Sequence, residues 1–271
     1  MPEDLITGLP ASWRQWTRGG VRPVLASHCS LAHSGVWSGL ADLMRGVTLT
    51  AIDQPGHGRS ADWSGQEDLH ALTTRMLVDA AETLGGGGRI DLLGHSFGAT
   101  VALRIALDRP DLVRSLTLIE PVIFAAARGD AAYAPFRARH LQVAALLQGG
   151  DLSAAVTEFH ADWGAGTDFA DLPDRQRQYM LDRIHLIGAQ NAALVDDAAG
   201  LLRPGGLEAL DVPVLLIEGA QSPPIISAVQ AALAGRLKRV QRLAVAGAGH
   251  MVPITHAASV APMVQAHLDG C

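Results

Sequence analysis

The sequence predicts an α/β fold: a doubly wound, mostly parallel sheet with a helical cap insertion. Three observations predict it. Short apolar runs recur along the chain and end in Gly, His, Asp or Glu. Segments with apolar residues at helical spacing lie between them. One long stretch, from Phe124 to Leu210, carries no strand pattern. Short continuous apolar runs suit strands buried on both faces, as in a parallel sheet. Their alternation with helices implies right-handed crossovers.

The expected strands are Val24–Ala26, Val47–Ile52, Ile90–Leu93, Leu116–Ile119, Val214–Ile217 and Val240–Val245. A helix is expected over Asp68–Leu84, stopped by the Gly85–Gly88 run. A second, apolar helix covers Phe97–Leu107 and ends before Arg109-Pro110. In the strandless stretch, amphipathic pieces fall near Ala134–Leu147, Leu152–Trp163 and Arg175–Val195. GGD, WGAGTD and DLPD separate them, and these are loop and capping signals. The expected division is a core of residues 1–123 and 211–271, with residues 124–210 forming a helical cap between two core strands.

Composition excludes several classes of function. The chain has 271 residues, 48% of them hydrophobic, enough for one sizeable core. A net charge of -6 and the lack of a basic patch argue against nucleic acid as a partner. Cys29 and Cys271, far apart in the sequence, make no disulfide framework, and a reducing compartment fits them. MPEDLITGLPASW has no basic segment followed by an apolar core, so a secretory signal is not expected. No apolar run reaches the roughly 18 residues that span a bilayer. The expectation is a soluble, cytoplasmic protein that acts on a small molecule away from membranes.

The chemistry centres on GHSFG, Gly94–Gly98, which follows an apolar strand and opens an apolar helix. On a loop this pattern means little. Between strand and helix it reads as a nucleophile elbow, with Ser96 at a helix N-terminus whose free N–H groups favour developing negative charge. The turn is sharp, so Gly94 and Gly98 remove side chains that would clash.

Three further segments join it: HCSLAHSGVW (His28–Trp37), DQPGHGRS (Asp53–Ser60) and GAGHMVPITH (Gly247–His256). In order and spacing, the four together resemble an α/β-hydrolase with a helical cap, over nearly the whole chain. The resemblance implies that the first segment supplies an oxyanion-hole N–H and that the last carries the catalytic histidine, His250. The chain order of nucleophile, acid, histidine is the one expected of that fold. An imidazole near its ordinary pKa can take the Ser96 proton and return it to a leaving group. Of the other histidines, His57 reads as a turn residue, His95 as packing under the elbow and His28 as bonding backbone. His256 reads as a helix cap, and His140, His160 and His185 as exposed residues of the cap.

The third member, the acid that orients the histidine, is not where it is expected. The strand PVLLIEG is followed by Ala220, Gln221, Ser222, Pro223 and Pro224, with no carboxylate. Some capped α/β-hydrolases, certain dehalogenases among them, place a glutamate one strand earlier. SLTLIEP offers Glu120 at that strand tip, and Glu120 is the first candidate. Glu120 could instead cap the strand or pair with Arg128 or Arg137. Glu218 is the rival acid, and a cap acid such as Asp196 or a working dyad are the other possibilities.

The oxyanion hole is expected from the backbone N–H of Phe97 and that of Ser30. Many relatives read His-Gly where this chain reads His28-Cys29. Cys29 reads as a small buried residue, since Ser96 holds the elbow. A serine nucleophile suits acyl transfer through an acyl-enzyme, and argues against the carboxylate chemistry of haloalkane dehalogenases and epoxide hydrolases. The expected substrate is a small to medium, largely apolar carboxylic ester, thioester or lactone. A carbon–carbon bond hydrolase, an acyltransferase, or a non-catalytic binding module on the same scaffold are the alternatives. Trp37, Phe124, Phe159 and Trp163 are the candidate pocket walls. No histidine pair has metal-ligand spacing with a supporting carboxylate, so neither metal nor cofactor is expected.

Overall fold

A computed structural model of the chain describes residues 4–6 and 8–271. Six strands form the main sheet, in the order β4-β3-β5-β6-β7-β8. They are β3 (Trp13–Ser27), β4 (Val47–Ile52), β5 (Ile90–His95), β6 (Val113–Ile119), β7 (Val214–Gly219) and β8 (Val240–Val245). A short antiparallel pair, β1 (Asp4–Ile6) and β2 (Leu9–Ala11), precedes them.

Side-chain alternation buries both faces of the sheet. Leu25, Leu92, Leu116, Leu118 and Leu216 pack on one face, with buried residues of the helices Leu69–Gly85, Phe97–Asp108 and Pro224–Ala234. Val24, Ala26, Leu93, Ile119, Leu215 and Ile217 pack on the other, against Leu40, Val260, Val264 and Leu268. Each such fully buried side chain contributes about 1.5–3 kcal/mol over exposure.

The expected strands are present, and four of them, β3, β5, β6 and β7, are longer than their apolar runs. The largest difference is β3, expected as Val24–Ala26. Its C-terminal half lies parallel to β4, with Arg22 opposite Val47 and Ser27 opposite Ile52. Its N-terminal half runs back along the same strand, with Arg18 opposite Val47 and Trp13 opposite Ile52. The reversal falls at Gly19-Gly20. Gly19 has φ +78°, and a Cβ on Gly20 would sit 1.9 Å from Gly46 O. Residues 13–20 mix exposed residues such as Arg14, Gln15 and Thr17 with half-buried ones such as Trp16 and Arg18, so no continuous apolar run marks them.

Between β6 and β7 the described residues form helices and loops without a strand. The principal helices are Tyr133–Gln148, Leu152–Trp163, Asp174–Leu181, His185–Ala189 and Asn191–Leu194. The single helix expected over Arg175–Val195 is broken into three. Ala155, Val156, Met180, Ile184 and Ile187 bury a small core of their own, which Leu31 joins from the loop after β3.

Candidate active site

Ser96 sits between β5 and the helix Phe97–Asp108, with φ +55° and ψ −120°. Such a conformation costs a non-glycine residue about 1–3 kcal/mol and persists only where its surroundings impose it. Here they do. A Cβ on Gly94 would lie 2.5 Å from Ala99 Cα and Gly98 O, and one on Gly98 would lie 2.3 Å from Ser27 O. Only glycines let strand, turn and helix approach this closely. The Ser96 N–H donates to Ile119 O at 2.9 Å, which ties the elbow to β6.

His250, on the loop after β8, stands with Nε2 3.0 Å from Ser96 Oγ. Its Nδ1 lies 2.8 Å from Glu120 Oε2. The three side chains therefore form one hydrogen-bonded line, and all three are buried. Glu120 follows β6 with φ +53°, and its N–H donates to Ile217 O at 2.8 Å. Its second oxygen, Oε1, accepts the Gly219 N–H at 2.6 Å and the Ser222 hydroxyl at 2.8 Å. Ser222 thus stands where an acid is absent, and its hydroxyl holds the acid that comes from β6.

The rival acids lie elsewhere. Glu218 is in β7 and accepts from Arg242, whose Nη2 is 2.7 Å away. Asp196 is on the surface, 3.7 Å from Arg128. Burial pushes the Glu120 carboxyl up, against the pull of its Gly219 and Ser222 donors. Burial also pushes the His250 imidazolium down. The Gly219 N–H and the Ser222 hydroxyl both donate to Glu120, so the arrangement suits a carboxylate that receives the Nδ1 proton.

Other histidines support the frame. His95 Nε2 donates to His250 O at 2.9 Å, from beneath the elbow. His28 Nδ1 donates to Cys29 O, and its Nε2 accepts the Gln54 N–H. His57 Nδ1 donates to Pro55 O, and its Nε2 accepts the Leu31 N–H at 3.1 Å. Burial lowers His28 to about 4 and His57 to about 3, so both hold these contacts as neutral rings. Together with Gln54 Nε2, which donates to His28 O at 2.6 Å, they fix the loop that presents Ser30. His160 is a correction. It is buried, and its Nε2 donates to Thr167 O, closing the WGAGTD loop. His256 caps nothing with its side chain, which bonds Thr255.

Above Ser96 lies a small cavity, partly open to solvent. Ser30, Ser96 and His250 line its floor, and the helical insertion supplies most of the rest. Phe124, Phe159 and Trp163 are in its wall. Trp163 meets the His250 ring edge-on at 4.8 Å between centroids. Phe136, which the apolar pattern alone did not single out, stacks on Phe124 at 4.1 Å and lines the same wall. Trp37 is a correction. It does not reach the cavity but packs in the core beside Leu40 and Met44, 1% exposed. It closes the short helix Ser34–Trp37, whose buried side faces the sheet.

Two supporting residues escape a motif search. Tyr179 OH donates to Ala32 O and accepts the Gly58 N–H, joining the insertion to two core loops. Gln190 accepts the Ser30 hydroxyl at 2.7 Å across 160 residues of sequence. The only trace of Gln190 in the sequence is a polar amide within an apolar run, LIGAQNAAL.

Comparison with known proteins agrees with this fold. The family model for the alpha/beta hydrolase fold matches residues 5–257. The chain is 29% identical to Lipase LipV of Mycobacterium tuberculosis, over 92% of this chain and 94% of that one. It is 34% identical to the pimeloyl-[acyl-carrier protein] methyl ester esterase of Nitrosomonas europaea, over 38% of each chain. Among solved structures, an alpha/beta hydrolase from Sphaerobacter thermophilus superposes with a TM-score of 0.72, at 21% identity and 97% coverage of both chains. The chain belongs to the α/β-hydrolase family and is an enzyme of the hydrolase class.

Proposed function

We propose that this hydrolase cleaves a small to medium, largely apolar carboxylic ester, thioester or lactone through an acyl-enzyme on Ser96. The observation that carries the reading is the line Ser96 Oγ, His250 Nε2, His250 Nδ1, Glu120 Oε2, with its two hydrogen-bond lengths of 3.0 and 2.8 Å. In acylation, His250 Nε2 takes the Ser96 proton as Oγ attacks the carbonyl carbon. Glu120 accepts from Nδ1 and stabilises the imidazolium that forms. The backbone N–H groups of Phe97 and Ser30 receive the oxyanion. Collapse expels the alcohol or thiol, which takes the proton from His250. Water, activated by the same nitrogen, then releases the acid.

The cavity supports this substrate class. Its aromatic and aliphatic lining, Phe124, Phe136, Phe159, Trp163 and Leu194 among it, favours an apolar acyl or alcohol chain, and its small size limits that chain. The names of the lipase and esterase relatives are consistent with this choice. Residues 124–210 act as the lid of the site, on a core of residues 1–123 and 211–271. A complete serine–histidine–acid line argues against a spent pocket kept only for binding.

The test is turnover of p-nitrophenyl acetate and a panel of longer esters, with fluorophosphonate labelling. Ser96→Ala should remove labelling and lower hydrolysis on the order of 10³-fold or more. Near-normal turnover by that variant would end the reading.

A further inference from the structure

Three consecutive residues of the loop after β3 are held by the helical insertion. The Ser30 hydroxyl donates to Gln190 Oε1 at 2.7 Å. The Leu31 side chain joins the apolar cluster of Val156, Met180 and Ile187. Ala32 O accepts the hydroxyl of Tyr179 at 2.7 Å. Tyr179, on the helix Asp174–Leu181, also accepts the Gly58 N–H at 2.9 Å. Gly58 follows His57, whose Nε2 accepts the Leu31 N–H at 3.1 Å. Two bridges therefore join the same pair of loops side by side. One is direct, from Leu31 to His57, and the other runs through the Tyr179 hydroxyl, from Ala32 to Gly58. Arg183 lies over the Tyr179 ring at 3.9 Å and His33 meets that ring edge-on, so the phenol is itself held in place.

Leu31 shows why this loop needs holding. Its φ is +58°, a left-handed conformation that a non-glycine residue keeps only where its surroundings impose it. Directly before it stands Ser30, whose N–H is the proposed second oxyanion donor. We infer that the helical insertion is a working part of the oxyanion hole: Tyr179, together with Gln190, holds the strained turn that aims the Ser30 N–H. Tyr179 is thus a positioning residue for the reaction, beyond its part in fastening lid to core. With these ties cut, Leu31 can leave the left-handed region, and the Ser30 peptide turns with it. An oxyanion hole acts through donors aimed in advance at the charge of the transition state. A misdirected donor therefore costs the tetrahedral oxyanion more than it costs the ground-state ester. The inference rests on the reading of Ser96 as nucleophile and of Ser30 as oxyanion donor.

The experiment compares two inhibitors of the full chain, an alkyl trifluoromethyl ketone and the secondary alcohol of the same skeleton. Ser96 Oγ adds to the ketone carbon, its proton passes to His250 Nε2, and the carbonyl oxygen becomes an oxyanion. The alcohol fills the cavity without forming one. The quantity read is the ratio of the two inhibition constants, which cancels general damage to the cavity. The wild-type enzyme should bind the ketone far more tightly. Tyr179→Phe should lower that preference about 10-fold, a part of the roughly 10²- to 10³-fold that one oxyanion donor is worth, and should lower kcat with little change in KM. Ser30→Ala keeps the N–H and cuts the tie to Gln190, so its preference should fall as well. Arg203→Ala is the control. It cuts another tie between insertion and core, to Leu107 O and Asp108 Oδ1, away from this loop, and should leave the preference at the wild-type value. A preference unmoved in Tyr179→Phe or in Ser30→Ala, or an equal fall in Arg203→Ala, would overturn the inference. So would a wild-type enzyme that needs Ser96 for turnover yet shows no preference for the ketone. Circular dichroism checks the fold of each variant, and should Tyr179→Phe fail to fold, Ser30→Ala decides. If turnover does not depend on Ser96, the hydrolase reading fails and this inference falls with it.

Discussion

Ser222→Ala isolates what the serine at the vacant acid position does. The hydroxyl donates to Glu120 Oε1 at 2.8 Å, and the Gly219 N–H donates to the same oxygen at 2.6 Å. Both donors favour the carboxylate, and burial opposes it. Removing one donor therefore moves the Glu120 carboxyl further up. A hydrogen bond to a charged acceptor is worth about 1.5–3 kcal/mol. Gly219 remains on that oxygen, so about half is expected to be lost, ~1.4 kcal/mol or one pKa unit.

In the proposed mechanism the active form carries a negative Glu120 beside a neutral His250, and adding a proton to the pair abolishes it. Losing a donor favours the protonated pair, so the acid limb of kcat/KM should move about one unit towards higher pH. On the acid side of the limb the variant should be about tenfold slower, and on the alkaline plateau close to the parent. The assay is kcat/KM for one p-nitrophenyl ester across about pH 5 to 9. A limb that stays in place would refute the reasoning. So would an equal loss at every pH, which would mean that Ser222 acts through loop geometry. The loop's own bond, Ser222 N–H to Gly219 O at 3.0 Å, does not depend on the hydroxyl.

The remaining predictions test other links. Glu120→Gln should lower kcat by about 10³- to 10⁴-fold without lowering the melting temperature, and Ser222→Asp in that background should recover part of the rate. Recovery is limited because Pro223-Pro224 restricts the loop. Trp37→Ala should cost about 3–5 kcal/mol, a fall on the order of 10 °C, with substrate preference unchanged. Phe159→Ala should do the reverse, changing relative rates across an ester panel more than the melting temperature. Gly98→Ala should lose both activity and stability, since its Cβ would meet Ser27 O at 2.3 Å, and circular dichroism melting with an ester assay reads both.

How much of this was legible in the sequence depended on the kind of signal. The doubly buried strands announced themselves, since Leu92, Leu93, Leu215 and Leu216 face opposite cores and leave an unbroken apolar run. The N-terminal half of β3 did not, because exposed residues such as Arg14 and Thr17 interrupt its half-buried ones. The meeting of Ser96 and His250 was expected because an elbow and a loop after the last strand constrain local residue types. Trp37 was misplaced for the opposite reason, since an aromatic residue near the oxyanion loop fills a core as readily as a pocket. Gln190 was invisible, because its partner Ser30 is 160 residues away and only the fold brings them together.

The displaced acid has a geometric basis that the sequence states indirectly. β6 and β7 are parallel neighbours with Ile119 opposite Ile217, so their C-terminal ends finish side by side. An acid after either strand starts from nearly the same level of the sheet edge. The histidine loop, however, follows β8, on the far side of β7. A carboxylate from β6 must therefore cross the end of β7, where one from the β7 loop need not. Two features allow the crossing. Gly219 ends β7 without a side chain, and a Cβ there would lie 2.4 Å from Ala248 O, so the histidine loop packs directly on the strand end. Glu120 supplies the added reach of a glutamate over an aspartate, and its φ of +53° sets the direction from which the side chain leaves the strand. The Gly219 N–H then bonds the carboxylate as it passes, and Ser222 bonds it from the loop. A glutamate on β6, a glycine at the end of β7 and a small hydroxyl in the β7 loop thus form one matched set. Moving the acid back to position 222 without removing Glu120 would place two carboxylates on one imidazole, and their repulsion would push one of them to hold a proton.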